Sequence, residues 1–326
     1  MILRQLGQTN IKVSVVGVGT WAIGGWWWGG NDEKDSIAAV RRALDEGANL
    51  IDTAPAYGLG LAEEVVGKAI KGRPRDKIVI ATKCGLVWHT DKGMFYFEEL
   101  GKRICRYLGP ESVRYELEQS LARLGTDYVD LYQTHWQDDT TPIKDTMNEL
   151  LKLKAEGKIR AIGISNCSIP QMKEYLAAGR IDSNQPQYSM LDRAIEGELL
   201  DFCRSNGVSI LAYSPLGQGL LTGKMTPDRA FKPGDMRAVK PRFAPAAIKR
   251  INAMLEKFEP LRRKYGVNQT QLTIGWTVAR PGVTAALVGV RNAEQAADVA
   301  KGGSFELQAA DLPEMDKIIA QLGKID

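Results

Sequence analysis

The chain is poor in the residues that announce a metal centre or a disulfide scaffold. Its 326 residues include four cysteines and two histidines. Cys84, Cys105, Cys167 and Cys203 are widely spaced, forming neither a metal-ligand pair nor a dense disulfide framework. A reduced cytosol is therefore the expected compartment, and no metal is expected. No apolar run of about 18 residues occurs, so no spanning helix is expected. The opening Met1-Ile2-Leu3-Arg4-Gln5 lacks the apolar stretch of a secretory signal. Neither sign of charge dominates: 43 Lys plus Arg face 39 Asp plus Glu, a net +4. That bias is too weak for a nucleic-acid or membrane surface, yet it would not repel an anionic ligand. Low-complexity tracts and dividing linkers are also missing, and residues 1–326 are expected to form a single domain. With 44% hydrophobic and 25% charged residues, the composition is that of an ordinary globular chain.

What is present is alternation between two periodicities. Short, often β-branched runs recur at 15–18, 50–51, 78–81, 129–132, 161–164, 184–185, 209–212 and 286–288. Amphipathic helical stretches separate them, at 33–46, 62–70, 110–124, 143–156, 169–178, 196–205 and 292–300. Gly47, Gly157, Gly179 and Gly207 follow four of these stretches, as left-handed C-caps would. Eight strand–helix repeats imply a parallel sheet, and eight fit a closed (β/α)8 TIM barrel of the α/β class better than an open sheet. Three segments fall outside the repeat. Residues 2–13 read as an N-terminal β-hairpin turning near Gly7-Gln8-Thr9-Asn10, placed to cover the N-terminal end of the barrel. Residues 84–109 and 214–243 form long loops at the C-terminal mouth, where long loops are usually functional. Residues 244–279 read as two helices and 310–322 as a terminal helix.

The active site of such a barrel lies at the C-terminal strand ends. Those ends carry Asp52, Thr82-Lys83, Thr134-His135-Trp136, Ser165-Asn166, Gln185, Tyr213-Ser214 and Gly289-Val290-Arg291, with Tyr57 just past Asp52. Asp52, Tyr57, Lys83 and His135 make chemical sense together. A free tyrosine loses its proton near pH 10, which is high for an acid catalyst. A nearby ammonium favours phenolate and should lower that value. A carboxylate beside the lysine would keep it charged, and a histidine would orient a carbonyl. The set suits protonation of a carbonyl oxygen while hydride reaches carbon.

Gly17-Val18-Gly19-Thr20-Trp21-Ala22 matches the loose dinucleotide pattern, but that pattern needs a helix to begin there. The following residues, through Trp26-Trp27-Trp28-Gly29-Gly30, read as unable to open one. This loop reads instead as an aromatic wall over the mouth. Trp88, His89, Phe95 and Tyr96 of the first long insert add to the same aromatic lining.

The ordered segments resemble the aldo-keto reductase family over nearly the whole length. They are Asn49 to Gly58, Thr82-Lys83, Leu131 to Trp136, Gly163 to Asn166, Asn184-Gln185 and Tyr213 to Leu216. The resemblance implies reduction of an aldehyde or ketone, sugar-derived ones included, with a small-molecule substrate as partner. It implies Tyr57 as general acid, Lys83 paired with Asp52, and His135 orienting the substrate. Ser165, Asn166 and Gln185 would hold the nicotinamide carboxamide, with Tyr213 stacked on its ring. Ser214, Leu216, Gln218, Gly219, Leu220 and Lys224 would follow the pyrophosphate. Gly289, Val290, Arg291, Gln295 and Asp298 would face the adenosine. Trp21 would touch both cofactor and substrate, and Trp26, Trp88 and Trp136 the substrate. NADPH is expected over NADH, because Arg291 can meet a 2′-phosphate in bidentate fashion. Lys240 or Arg242 could share that phosphate. The pattern is closer to the bacterial and potassium-channel-β-subunit-like branch than to the aldose reductase branch. Two other functions remain open at this point: a cofactor-sensing binding module, and a Schiff-base lyase acting through Lys83.

Overall fold

The computed structural model describes residues 1–325. Its first two strands, β1 (Leu3–Gln5) and β2 (Lys12–Ser14), pair antiparallel as the hairpin. Then follow β3 (Val16–Gly19), α1 (Glu33–Asp45), β4 (Leu50–Asp52), α2 (Leu61–Ile70) and β5 (Val79–Cys84). A small sheet of β6 (Leu86–Val87), β7 (Met94–Glu99) and β8 (Lys102–Arg106) interrupts the repeat. The alternation resumes with α3 (Pro110–Leu124), β9 (Val129–Thr134), α4 (Ile143–Ala155), β10 (Ile159–Ser165), α5 (Ile169–Ala178) and β11 (Ser183–Gln185). It closes with α6 (Glu198–Ser205), β12 (Ser209–Tyr213), α7 (Pro245–Glu256), α8 (Glu259–Tyr265), α9 (Gln269–Val278), β13 (Val283–Gly289), α10 (Ala293–Lys301) and α11 (Leu312–Ala320).

Eight parallel strands close the (β/α)8 barrel in the order β3, β4, β5, β9, β10, β11, β12, β13. Most of these strands are buried on both faces, as strands wrapped by helices must be. Local chemistry sets the helix starts. The Asp32 carboxylate caps α1, and capping boxes of Ser168 with Gln171 and Asn268 with Gln271 open α5 and α9. The hairpin plugs the bottom of the barrel. Leu6, Ile11 and Val13 pack against the inward-facing Leu50, Val79, Leu131 and Leu211. That packing leaves the opposite end as the mouth. Among the described residues no helix is long and apolar enough to cross a membrane.

Three expectations need correction. Residues 244–279 hold three helices rather than two, because Pro260 opens a new start and Gly266 in the left-handed region ends it. Gly179 is extended, not left-handed; its value lies in closeness, since a Cβ there would come within 2.6 Å of Met147. The tryptophan loop does open a helical turn, a single 3-10 turn over Trp21–Gly24, which leaves the next α-helix to begin at Glu33.

Candidate active site

Strand alternation gathers the polar side chains at the mouth. Gln133 lies opposite Lys83 in the β5–β9 register, and Asp52 ends β4. The Lys83 ammonium is fully buried and donates to three oxygens: Asp52 Oδ1 at 2.6 Å, the Thr53 carbonyl at 3.0 Å and the Tyr57 hydroxyl at 3.1 Å. Asp52 Oδ2 accepts from Gln185 Nε2 at 2.7 Å and Gln133 Nε2 at 3.2 Å. The buried ion pair is thus hydrogen-bonded on both sides, the condition under which such pairs are tolerated. The His135 ring stands edge-on to Tyr57, centroids 5.6 Å apart.

Tyr57 is placed by backbone contact. A Cβ on Gly24 would fall 2.6 Å from the Tyr57 carbonyl carbon, and one on Gly58 2.5 Å from the Gly24 oxygen. Only glycine at both positions lets the tryptophan loop lie this close against the tyrosine.

The electrostatics correct one expectation. Burial pushes the Tyr57 hydroxyl above its ordinary value, and the pull of Lys83 downward only offsets part of this. Burial also works against the Lys83 charge, but Asp52 and Tyr57 outweigh it and hold the ammonium above its ordinary range. Burial, aided by Lys83, drives His135 well below its ordinary value, so the imidazole is neutral near pH 7.

Above these residues opens a cavity of about 560 Å³, within the usual range for small-ligand sites. Ser165, Asn166, Gln185 and Tyr213 line it. Asn166 is held in the left-handed region, its amide donating to the His135 carbonyl at 3.1 Å while its oxygen accepts from the Tyr213 hydroxyl at 3.1 Å. Ser214, Gly217, Gln218 and Gly219 all have positive φ. Of these, Ser214, Gln218 and Gly219 line the cavity, and Ser214 and Gln218 hold a conformation that side-chain-bearing residues rarely adopt. Leu216, Lys224, Gly289, Gln295 and Asp298 also line the cavity. Lys224 pairs with Asp298 at 3.1 Å. Arg291 reaches the wall, but its guanidinium donates to the carbonyls of Trp28, at 3.2 Å, and Gly30.

Several named residues stand elsewhere. Trp21 and Trp136 line the cavity with Trp28 and Tyr96, whereas Trp26 does not. Trp88 packs into the small apolar cluster around Leu86. Leu220 and Val290 are buried in the core. His89 lies against Ser112 and Tyr115. Lys240 is bonded to Gln218 and Arg242 to Asp192.

The lining combines polar side chains, backbone with positive φ at Ser214, Gln218 and Gly219, and the cations Lys224, Arg229, Arg237 and Arg291, a set that could hold an anionic cofactor. Trp28, whose buried indole nitrogen has no hydrogen-bond partner, lines the same cavity. Sequence reasoning missed Gln133, although its period-two relation to His135 placed it on the same strand face. Tyr96, expected in the aromatic lining, does line the cavity.

Fold and site together define a barrel oxidoreductase that handles a carbonyl group with a nicotinamide cofactor. Residues 15–320 match the model of the aldo/keto reductase family. The chain is 42% identical over 311 residues to the NADH-specific methylglyoxal reductase of Escherichia coli (strain K12), a match covering 94% of each protein. It superposes on the glycerol dehydrogenase AKR11B4 from Gluconobacter oxydans with a TM-score of 0.88 at 37% identity, covering 98% of this chain and 96% of that one. An aldo-keto reductase from Klebsiella pneumoniae in complex with NADPH gives 0.72 at 28% identity, covering 98% and 96%. The chain belongs to the aldo/keto reductase family and is an NAD(P)H-dependent oxidoreductase.

Proposed function

We propose that this chain reduces an aldehyde or ketone to the alcohol with Tyr57 as general acid and NADPH as the favoured cofactor. The observation that carries the reading is the chain of contacts from Asp52 through Lys83 to the Tyr57 hydroxyl, beside His135 on the cavity floor. When bound, the reduced nicotinamide supplies the hydride. Tyr57 holds a proton at Oη and passes it to the carbonyl oxygen, so that the C=O π bond is replaced by a C–H and an O–H bond. Burial alone opposes the phenolate left behind; the ammonium 3.1 Å away offsets this at the moment charge develops. Neutral His135 can donate one ring N–H to the same oxygen and set its angle.

Ser165, Asn166 and Gln185 would hold the carboxamide end and Tyr213 the ring. Ser214, Leu216, Gln218 and Gly219, with Lys224, would follow the pyrophosphate. Gly289, Arg291, Gln295 and Asp298 would meet the adenosine. Arg291 supports NADPH because a guanidinium has five donors and two carbonyls leave donors for a phosphate. A second reading, NADH, is favoured by two observations: those two carbonyls already hold the guanidinium, and the relative from Escherichia coli is named as NADH-specific. A lyase through Lys83 is disfavoured, since all three of its protons are donated and the amine is held charged. A cytoplasmic location accords with four buried, unpaired cysteines.

The test is loss of cofactor absorbance with a panel of aldehydes, ketones and sugar carbonyls, run with each cofactor. Turnover on at least one carbonyl, with the lower KM for NADPH, is expected. No turnover on any would refute the reaction class, and a lower KM for NADH would refute the cofactor preference.

A further inference from the structure

Arg106 stands against the aromatic wall of the mouth, over two rings that line the cavity, and unlike Lys83 it has no anion. Leu86 and Met94 flank it directly across the small insert sheet. Residues opposed in an antiparallel pair project from the same face. Leu86 lines the cavity and packs with Ala56 and Ile104, so this face of the sheet covers the barrel mouth. The Arg106 guanidinium lies 4.0 Å from the Tyr96 ring centroid and 5.0 Å from that of Trp136. Both rings form the cavity wall.

The charge is uncompensated. Among the described residues no carboxylate lies within 4.0 Å of it, and its Nε is buried without a hydrogen-bond partner. Other half-buried arginines of the chain are satisfied differently: Arg75 by Asp130, Arg123 by Glu63, Arg280 by Asp316. The Arg106 Nε is withdrawn from solvent without a partner, while its terminal nitrogens are free to meet an anion. Two aromatic faces attract the guanidinium, and an incoming carboxylate would hold it more strongly, with bidentate geometry.

Resting on the reductase reading above, we propose that Arg106 is a specificity-determining residue that selects carbonyl substrates bearing a carboxylate. The Tyr57 end of the cavity would take the aldehyde or ketone, and the Tyr96–Trp136 wall the acidic end.

The experiment compares 4-carboxybenzaldehyde with its methyl ester, which is similar in size and electronic pull but neutral. Wild type should show the higher kcat/KM for the acid. A charge-assisted pair implies that Arg106→Gln lowers the acid-to-ester ratio roughly ten- to a hundred-fold while turnover of the ester stays within a few-fold. Arg106→Lys should keep part of the preference, and rising salt should shrink it in wild type. Equal losses on both substrates would make Arg106 a support for the two rings and overturn the proposal, as would a wild type without preference. Should wild type reduce neither compound, the reductase reading fails for this class, and Arg106 is read from binding of 4-(hydroxymethyl)benzoate by tryptophan quenching. Weaker binding in Arg106→Gln would then support the assignment, and unchanged binding would overturn it.

Discussion

The Lys83 ammonium lies 3.1 Å from the Tyr57 hydroxyl and is the one group there that opposes the effect of burial on that hydroxyl. Lys83→Met removes it. Tyr57 should then hold its proton to still higher pH, and the basic limb of the pH–rate profile should move up. The maximal rate should fall by roughly 10²–10³, the cost of losing one charge-stabilising group. Asp52 would be left buried without its cation, so stability should drop by about 3–5 kcal/mol. An unmoved basic limb in a folded variant would reduce Lys83 to a structural role. Asp52→Asn tests the pair from the other side and should change the rate in the same direction.

Arg291 offers a test of cofactor choice. If its free donors meet a 2′-phosphate, Arg291→Ala should raise the Kd for NADPH by roughly ten- to a hundred-fold. The Kd for NADH should change little. Fluorescence quenching measures both. Equal weakening would mean that Arg291 only ties the Trp28–Gly30 segment to the end of β13, as its two carbonyl contacts already do.

Glu116 makes the stability pH-dependent. It is buried, with both carboxyl oxygens accepting from the Gly85 amide at 3.0 and 3.1 Å, and burial pushes its pKa up to about 8. The folded pKa lies above the unfolded value of about 4.3. Between the two, the unfolded chain binds fewer protons than the folded one, so stability falls as pH rises through this window. Glu116→Gln carries no such proton and should flatten the decline between pH 5 and 8 in urea unfolding. Parallel curves for the two proteins would contradict the assignment.

How far the sequence reveals this molecule follows from the range of the interactions involved. The barrel strands and most helices are legible because their periodicity is local. Asp52, Lys83 and His135 are legible because a barrel directs its strand ends to one mouth. The split at Pro260 and Gly266 hides inside a continuous apolar pattern. The insert sheet is obscured by a register shift between Phe95 and Phe97. Arg106 gives no local signal, since one of its rings, Trp136, comes from the far side of helix α3. The direction of the Tyr57 shift also escapes a motif: it depends on burial outweighing a neighbouring charge, which only the packed structure supplies.

The central claim is that Tyr57 gives the proton. Tyr57→Phe keeps the ring and removes only the hydroxyl that Lys83 meets at 3.1 Å. The direct measurement is kcat on a carbonyl that wild type reduces, alongside the cofactor Kd of the same preparation. The account predicts a fall of about 10²–10⁴ in kcat with Kd nearly unchanged. A variant that turns over at close to the wild-type rate would contradict it.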